Sequence, residues 1–222
     1  LKLALFDLDH TLLPLDSDHA WGKFTVALGW RDADGFARAN DAFYAAYKAG
    51  TLDIHEYVRF ATGAIREHGM AQAQQAHQRF MQEVILPALR EPALDLVRAH
   101  QAAGDEVIIV TATNAFVTRP IAHAFGVEAL IAIDLEHDAQ GEVTGAIQGT
   151  PSFREGKVAR VEQWLSARGL SWASVQHSTF YSDSINDLPL LEKVHEPVAT
   201  NPDARLQAIA LERGWRILNL FE

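Results

Sequence analysis

Three short apolar runs in this chain stop abruptly at clusters of carboxylate and hydroxyl side chains. The first, at residues 3–6, runs into Asp7-Leu8-Asp9-His10-Thr11; the second, 106–113, ends in Thr111-Ala112-Thr113 before Asn114. The third, 178–183, opens the stretch Tyr181-Ser182-Asp183-Ser184-Ile185-Asn186-Asp187. A brief continuous apolar run bounded by polar residues is the pattern of a strand covered on both faces. Further strands are expected at 129–133, 194–199 and 216–220, with helices at 94–103, 116–125, 156–168, 185–191 and 203–213 between them. Strands that alternate with helices specify an α/β fold, a doubly wound and mostly parallel sheet. The glycine-punctuated stretch 134–150 reads as a hairpin.

Residues 14–87 break that rhythm. Trp21, Phe24 and Leu28 form one helical stripe before Gly29, and Phe36, Phe43 and Tyr47 form a second before Gly50. Asp53 with Glu56 resembles a capping box, followed by Ile54, Tyr57, Val58, Ala61 and Ile65 on one face. Ala73, Ala76, Phe80 and Val84 make a fourth stripe, which Pro87 is expected to close. Ten of the 20 aromatic residues lie here, enough large side chains to fill the core of a small module. The expected division is therefore an α/β core of residues 1–13 and 88–222, with an inserted helical bundle at 14–87.

Composition narrows the partners. With 19 basic and 29 acidic residues the formal charge is −10, which disfavours nucleic acid and anionic membrane surfaces. The absence of cysteine excludes disulfides, thiol nucleophiles and cysteine zinc sites. No apolar run approaches the ~20 residues of a spanning helix, so a cytoplasmic protein is expected. The first residue is leucine rather than methionine, so a short preceding segment is expected.

In an open parallel sheet the chemistry lies at the carboxyl ends of the strands. If the three polar clusters are neighbours there, four aspartates share one crevice. Strand alternation would turn Asp7 and Asp9 to the same side. Crowded carboxylates require a cation or protons, and a set of hard oxygens favours Mg²⁺. Lys157, at the start of the helix preceding the third cluster, can hold an anionic group.

On these motifs together, "FDLDHT", "VTAT", "GK" and "YSDSINDLPLL", the chain resembles the haloacid dehalogenase-like superfamily of aspartate-nucleophile phosphohydrolases. Within it, the chain is similar to the phosphoserine phosphatase branch, which carries a helical cap after the first motif. The resemblance implies that Asp7 is the nucleophile and Asp9 the general acid and base. It implies phosphate binding by Thr111 and Lys157. It also implies Mg²⁺ held by Asp7, the Asp9 main-chain carbonyl and Asp183, with Asp187 positioning the metal and its waters. The reaction implied is hydrolysis of a small phosphorylated metabolite. Asp9 favours an oxygen leaving group, because expulsion of halide needs no acid. A phosphotransferase or mutase on the same fold, or a non-catalytic phosphate-binding module, are the alternatives.

The specificity candidates lie in the insert. Asp16 stands where phosphoserine phosphatases carry a glutamate that binds the substrate amino group. Thr111-Ala112-Thr113 departs from their usual Ser-Gly-Gly. Asp16, Asp18 and His19 would suit a substrate with an amine, such as phosphoserine or histidinol phosphate, and "SDHAW" is similar to histidinol-phosphatase-like members of the branch. The plainer reading of Asp18 is a helix N-cap, with His19 and Trp21 packing in the first turn. Arg38, Asn40, Asp41 and Arg66 are expected to be solvated.

Overall fold

The computed structural model describes residues 1–221. Six strands, β1 (Lys2–Phe6), β2 (Glu106–Asn114), β3 (Ala129–Ile133), β6 (His177–Ser182), β7 (Glu196–Thr200) and β8 (Arg216–Leu218), form a sheet in the order β3-β2-β1-β6-β7-β8. Every pairing in it is parallel. The predicted hairpin is present as β4 (Leu135–His137) and β5 (Val143–Ile147).

Side-chain alternation along β1 explains why both faces are covered. Leu3 and Leu5 point to one side, where α9 (Glu155–Ser166) and α11 (Ala204–Arg213) contribute Val161, Leu165, Leu206 and Ala210. Ala4 and Phe6 point to the other, against α7 (Glu91–Ala102), α8 (Ala115–Ala124) and the helical insert. A short α10 (Leu188–Leu191) follows β6.

The insert comprises α1 (Ser17–Ala27), α2 (Ala33–Ala49), α3 (Ile54–Ala61), α4 (Gly63–His68), α5 (Met70–Phe80) and α6 (Leu86–Ala88). Two expectations are corrected. The third stripe is two helices, because the Thr62 hydroxyl donates to the Val58 carbonyl at 2.7 Å and the chain restarts at Gly63. Pro87 does not close the fourth stripe either. A π-type turn at Met81–Ile85 shifts the hydrogen bonding, with Leu86 N–H on the Met81 carbonyl, and the helical path continues past the proline.

The insert shares one hydrophobic core with the sheet. Trp21 lies 5.5 Å from Phe80 and 5.7 Å from Phe116 of α8, ring to ring. The hairpin supports it from below, Glu142 accepting the Met70 N–H at the start of α5 at 2.7 Å. His77 sits inside this aromatic cluster and donates Nε2–H to the Val117 carbonyl at 3.0 Å. Burial lowers its pKa from 6.5 to about 4. The unfolded chain therefore takes up this proton first as the pH falls. Its contribution to stability is complete above pH 6.5 and is lost towards pH 4, by at most about 3 kcal/mol. Melting temperatures measured across that interval should slope less for His77→Gln than for the wild type; an unchanged slope would exclude His77 as the cause.

Candidate active site

The chain leaves β1 towards β2 and β3, while β6 continues the sheet on the other side of β1. Loops part at such a switch point and leave a crevice beyond the carboxyl ends of the strands. Asp7 stands at that edge, its N–H on the Tyr181 carbonyl at 2.9 Å. It continues the Leu3–Leu5 parity and so faces the layer of α9. On that helix Lys157, Val161 and Leu165 form one buried stripe, which drives the lysine inward. Its ammonium, 2% exposed, donates to Asp7 Oδ1 at 2.8 Å and to Asp187 Oδ2 at 2.7 Å.

Two hydroxyls complete the cluster. Thr11 Oγ1 lies 3.1 Å from Asp7 Oδ2 and 3.2 Å from Asp183 Oδ1, its proton between them, and accepts the Asp183 N–H at 3.0 Å. Ser182 Oγ donates to Asp187 Oδ2 at 2.7 Å. One ammonium thus faces three carboxylates. Burial would lower the Lys157 pKa, but Asp187 and Asp7 outweigh it and raise it above the ordinary value. Burial, reinforced by Asp7 and Asp187, raises Asp183 well above the carboxylate range. Burial also raises Asp187, to about 6, against the opposing pull of Lys157.

Asp9 is not placed by strand alternation. β1 ends at Phe6, and the chain then turns tightly, with the N–H groups of Thr11, Leu12 and Leu13 on the Leu8 carbonyl. His10 takes up the left-handed conformation this turn requires, φ 59°. Asp9 consequently has partners of its own: Oδ1 accepts the Ser17 N–H at 2.8 Å and Oδ2 the Thr113 hydroxyl at 2.7 Å. Burial, with Asp16 and Asp7 nearby, raises its pKa well above the ordinary value. Thr111 is buried on β2, and its Oγ1 accepts the Thr113 N–H at 3.1 Å.

In the insert, the N-cap of α1 is Asp16, which accepts the His19 N–H at 2.8 Å. Asp18, read above as a cap, is instead buried one residue inside the helix, with Asn114 Nδ2 at 3.4 Å. Burial and the Asp16 charge raise it to about 7. His19 is engaged within the insert, Nδ1 on Asn40 Oδ1 at 2.9 Å and the ring 6.0 Å from Phe36. Arg38 and Asp41 are exposed as expected. Arg66 is exposed too, donating to the Arg59 carbonyl at 2.9 Å and lying on Gly145, whereas Asn40 is half-buried.

Sequence reasoning did not assign roles to Thr11, Ser17, Thr113 or Ser182, although Thr11 belongs to the first motif. Nor did it find Tyr47, whose hydroxyl meets Ser184 Oγ at 2.7 Å and ties α2 to the loop carrying Asp183 and Asp187. Gly156 has a steric reason to precede Lys157, because a Cβ there would collide with the Pro151 carbonyl.

Buried carboxylates around a lysine, at the switch point of a parallel sheet, place the protein among α/β enzymes built to act on anionic substrates. Residues 4–192 match the sequence model of the haloacid dehalogenase-like hydrolases, and the chain belongs to that family. It is 43% identical to a histidinol-phosphatase of Neisseria meningitidis over 218 residues, 98% of each chain. It is 31% identical to a phosphoserine phosphatase of Mycobacterium tuberculosis over 217 residues, 96% of this chain and 69% of that one. Among solved structures, a Bordetella pertussis protein of unknown function superimposes with a TM-score of 0.93 at 50% identity, over 99% of both chains. A substrate-bound phosphoserine phosphatase shares the fold, with a TM-score of 0.69 at 16% identity over 98% and 92% of the two chains. No helix among the described residues is long and apolar enough to cross a membrane.

Proposed function

We propose that this hydrolase removes phosphate from a small amino-alcohol phosphate through an aspartyl-phosphate intermediate on Asp7. The observation that carries this reading is the separation of two carboxylate environments: Asp7 is ion-paired to Lys157, while Asp9 is set apart and pushed towards its protonated form. A general acid must hold a proton, and burial favours that form of Asp9, while the Lys157 ammonium sits directly on the carboxylate assigned to attack. Histidinol phosphate is favoured over phosphoserine as substrate by the 43% identical relative. Residues 14–87 act as the cap over a core formed by the rest of the chain.

An Asp7 carboxylate oxygen attacks phosphorus in line, and the bond from phosphorus to the ester oxygen breaks. Asp9 gives its proton to the departing alcohol. As a carboxylate it then takes a proton from water, whose oxygen attacks the phosphoaspartate and releases phosphate and Asp7. Lys157 and the Thr111 hydroxyl hold the non-bridging oxygens. The donor set fits Mg²⁺: two buried carboxylates, Asp7 and Asp187, and the half-buried Asp183 against one ammonium leave an excess of negative charge on hard oxygens. Among the described residues no three acidic or imidazole groups are gathered closely enough to hold an ion by themselves. Mg²⁺ needs no such cage, since it takes one or two carboxylates and keeps several waters. Asp7, the Asp9 carbonyl and Asp183 would hold it, with Asp187 ordering its waters. When bound it offsets the charge that the ester and the carboxylates bring together.

The test is phosphate release from amino-alcohol, sugar and nucleotide monophosphates, with Mg²⁺ and with EDTA. Metal-dependent release, fastest for an amino-alcohol phosphate, is expected. Asp9→Asn should lose about 10²- to 10⁴-fold on alkyl esters. With an aryl phosphate, whose leaving group needs no proton, that variant should form the phosphoenzyme and stall. Full turnover in Asp9→Asn, or release that persists in EDTA, contradicts these assignments.

A further inference from the structure

We propose that Asn201 is a positioning residue for the reaction: it grips the turn after β1 from behind, so that the Thr11 hydroxyl holds Asp7 and Asp183 at a fixed separation. This rests on the phosphatase reading above and extends it to a side chain that touches no reacting group.

Asn201 follows β7, and β6 separates that strand from β1 in the sheet. Its amide nevertheless reaches the turn beyond β1, where Nδ2 donates to the His10 carbonyl at 2.9 Å and to the Thr11 carbonyl at 3.2 Å. At the other end of the amide, Oδ1 accepts the Leu220 N–H at 2.7 Å, and the Asn201 N–H donates to the Leu218 carbonyl at 2.7 Å. Carbonyls only accept and an N–H only donates, so these partners fix which way the amide points. An aspartate here would have nothing to donate to the two carbonyls.

The backbone carries the same signature. Asn201, with φ 46°, and His10, with φ 59°, are two of the three non-glycine residues with positive φ among the described residues, and a hydrogen bond joins them. Such conformations persist only where the surroundings hold them, and they gather at functional sites.

The grip extends to the opposite loop. Asp203 donates its N–H to the Asp183 carbonyl at 2.8 Å and accepts the Ile185 N–H on Oδ2 at 3.1 Å. Pro202, whose ring locks its own φ, joins the two holders. Residues 201–203 thus bind the backbone of both loops, and those loops meet again at Thr11 Oγ1, 3.1 Å from Asp7 Oδ2 and 3.2 Å from Asp183 Oδ1. Loosening the brace moves Thr11, and with it the two carboxylates it spaces. A displacement of about 1 Å in such an arrangement can cost about 10²-fold in rate.

The experiment measures phosphate release from an aryl phosphate below the melting temperature of every variant. Asn201→Gly tolerates the left-handed backbone but removes the whole amide; Asn201→Asp keeps the acceptor for Leu220 and removes only the donor. Both should lower kcat about 10- to 100-fold, with KM within about threefold of the wild type. In a Thr11→Val background, adding Asn201→Gly should cost less than about threefold, because the group through which Asn201 acts is already gone. A role confined to stability would lower the melting temperature and leave kcat of the folded enzyme unchanged. That result, or a loss in Thr11→Val as large as in the wild type, overturns the brace and leaves the phosphatase reading standing. A wild type that releases no phosphate from any ester rejects both.

Discussion

Asp7→Asn abolishes phosphate release, with a loss of about four orders of magnitude or more, while the protein remains folded. Removing a nucleophile eliminates the covalent route and leaves only what binding and electrostatics can do. The fold survives because Lys157 keeps Asp187 at 2.7 Å and because the change removes one of three mutually repelling carboxylates. The melting temperature should accordingly stay within a few degrees of the wild type. Acid-quenched enzyme incubated with ³²P-labelled substrate should carry a hydroxylamine-labile label in the wild type and none in Asp7→Asn. Comparable labelling in the variant would move the nucleophile elsewhere.

Lys157→Met costs both activity and stability, and the stability loss depends on pH. The ammonium is 2% exposed and bridges Asp7 and Asp187 at 2.8 and 2.7 Å. Deleting one partner of a buried ion pair costs about 3–5 kcal/mol, because the remaining charges have neither water nor a partner. The sign follows from the carboxyls. In the folded protein Asp187 already titrates at about 6, above its ordinary 3.8, so it detracts from stability as the pH rises from 4 through 6. Without the lysine that opposes this shift, Asp187 moves higher, and protonation relieves the variant only at low pH. The gap in stability between wild type and Lys157→Met should be small near pH 5 and widen towards pH 8. Thermal unfolding across that range measures it, and a gap independent of pH would mean that packing, not charge, sets the cost. Arginine should not rescue, since its planar fork does not fit a pocket shaped around a compact ammonium.

Much of this architecture was legible in one sequence. Short apolar runs such as residues 3–6 and 129–133, bounded by polar residues, read as covered strands, and the helices between them pointed to a parallel sheet. Glycines at 29 and 50 marked where α1 and α2 stop, both in the left-handed conformation. The four motifs lie in chain order at strand ends and at a helix start, and their residue types sufficed to identify the family. Reading failed where the backbone leaves regular structure. Alternation could not place Asp9, because the strand ends before it and a tight turn aims its side chain. Asp16 and Asp18 are both able to cap a helix, and which of them does so depends on where the helix begins. That is settled by how α1 packs against Phe80 and Phe116.

By itself the sequence determined the kind of sheet, the order of its chemical groups and the family, since local patterning and residue type are properties of short segments. Only the tertiary structure decided which charges share a partner. Lys157 and Asp7 are separated by 150 positions, and the lysine points inward because Val161 and Leu165 bury the same stripe of α9 against the sheet. Asp18 acquires its character from burial where α1 of the insert meets Asn114 at the end of β2, and from the Tyr57 hydroxyl of another helix. Desolvation and pairing across the fold depend on distances through space, which no spacing along the chain encodes.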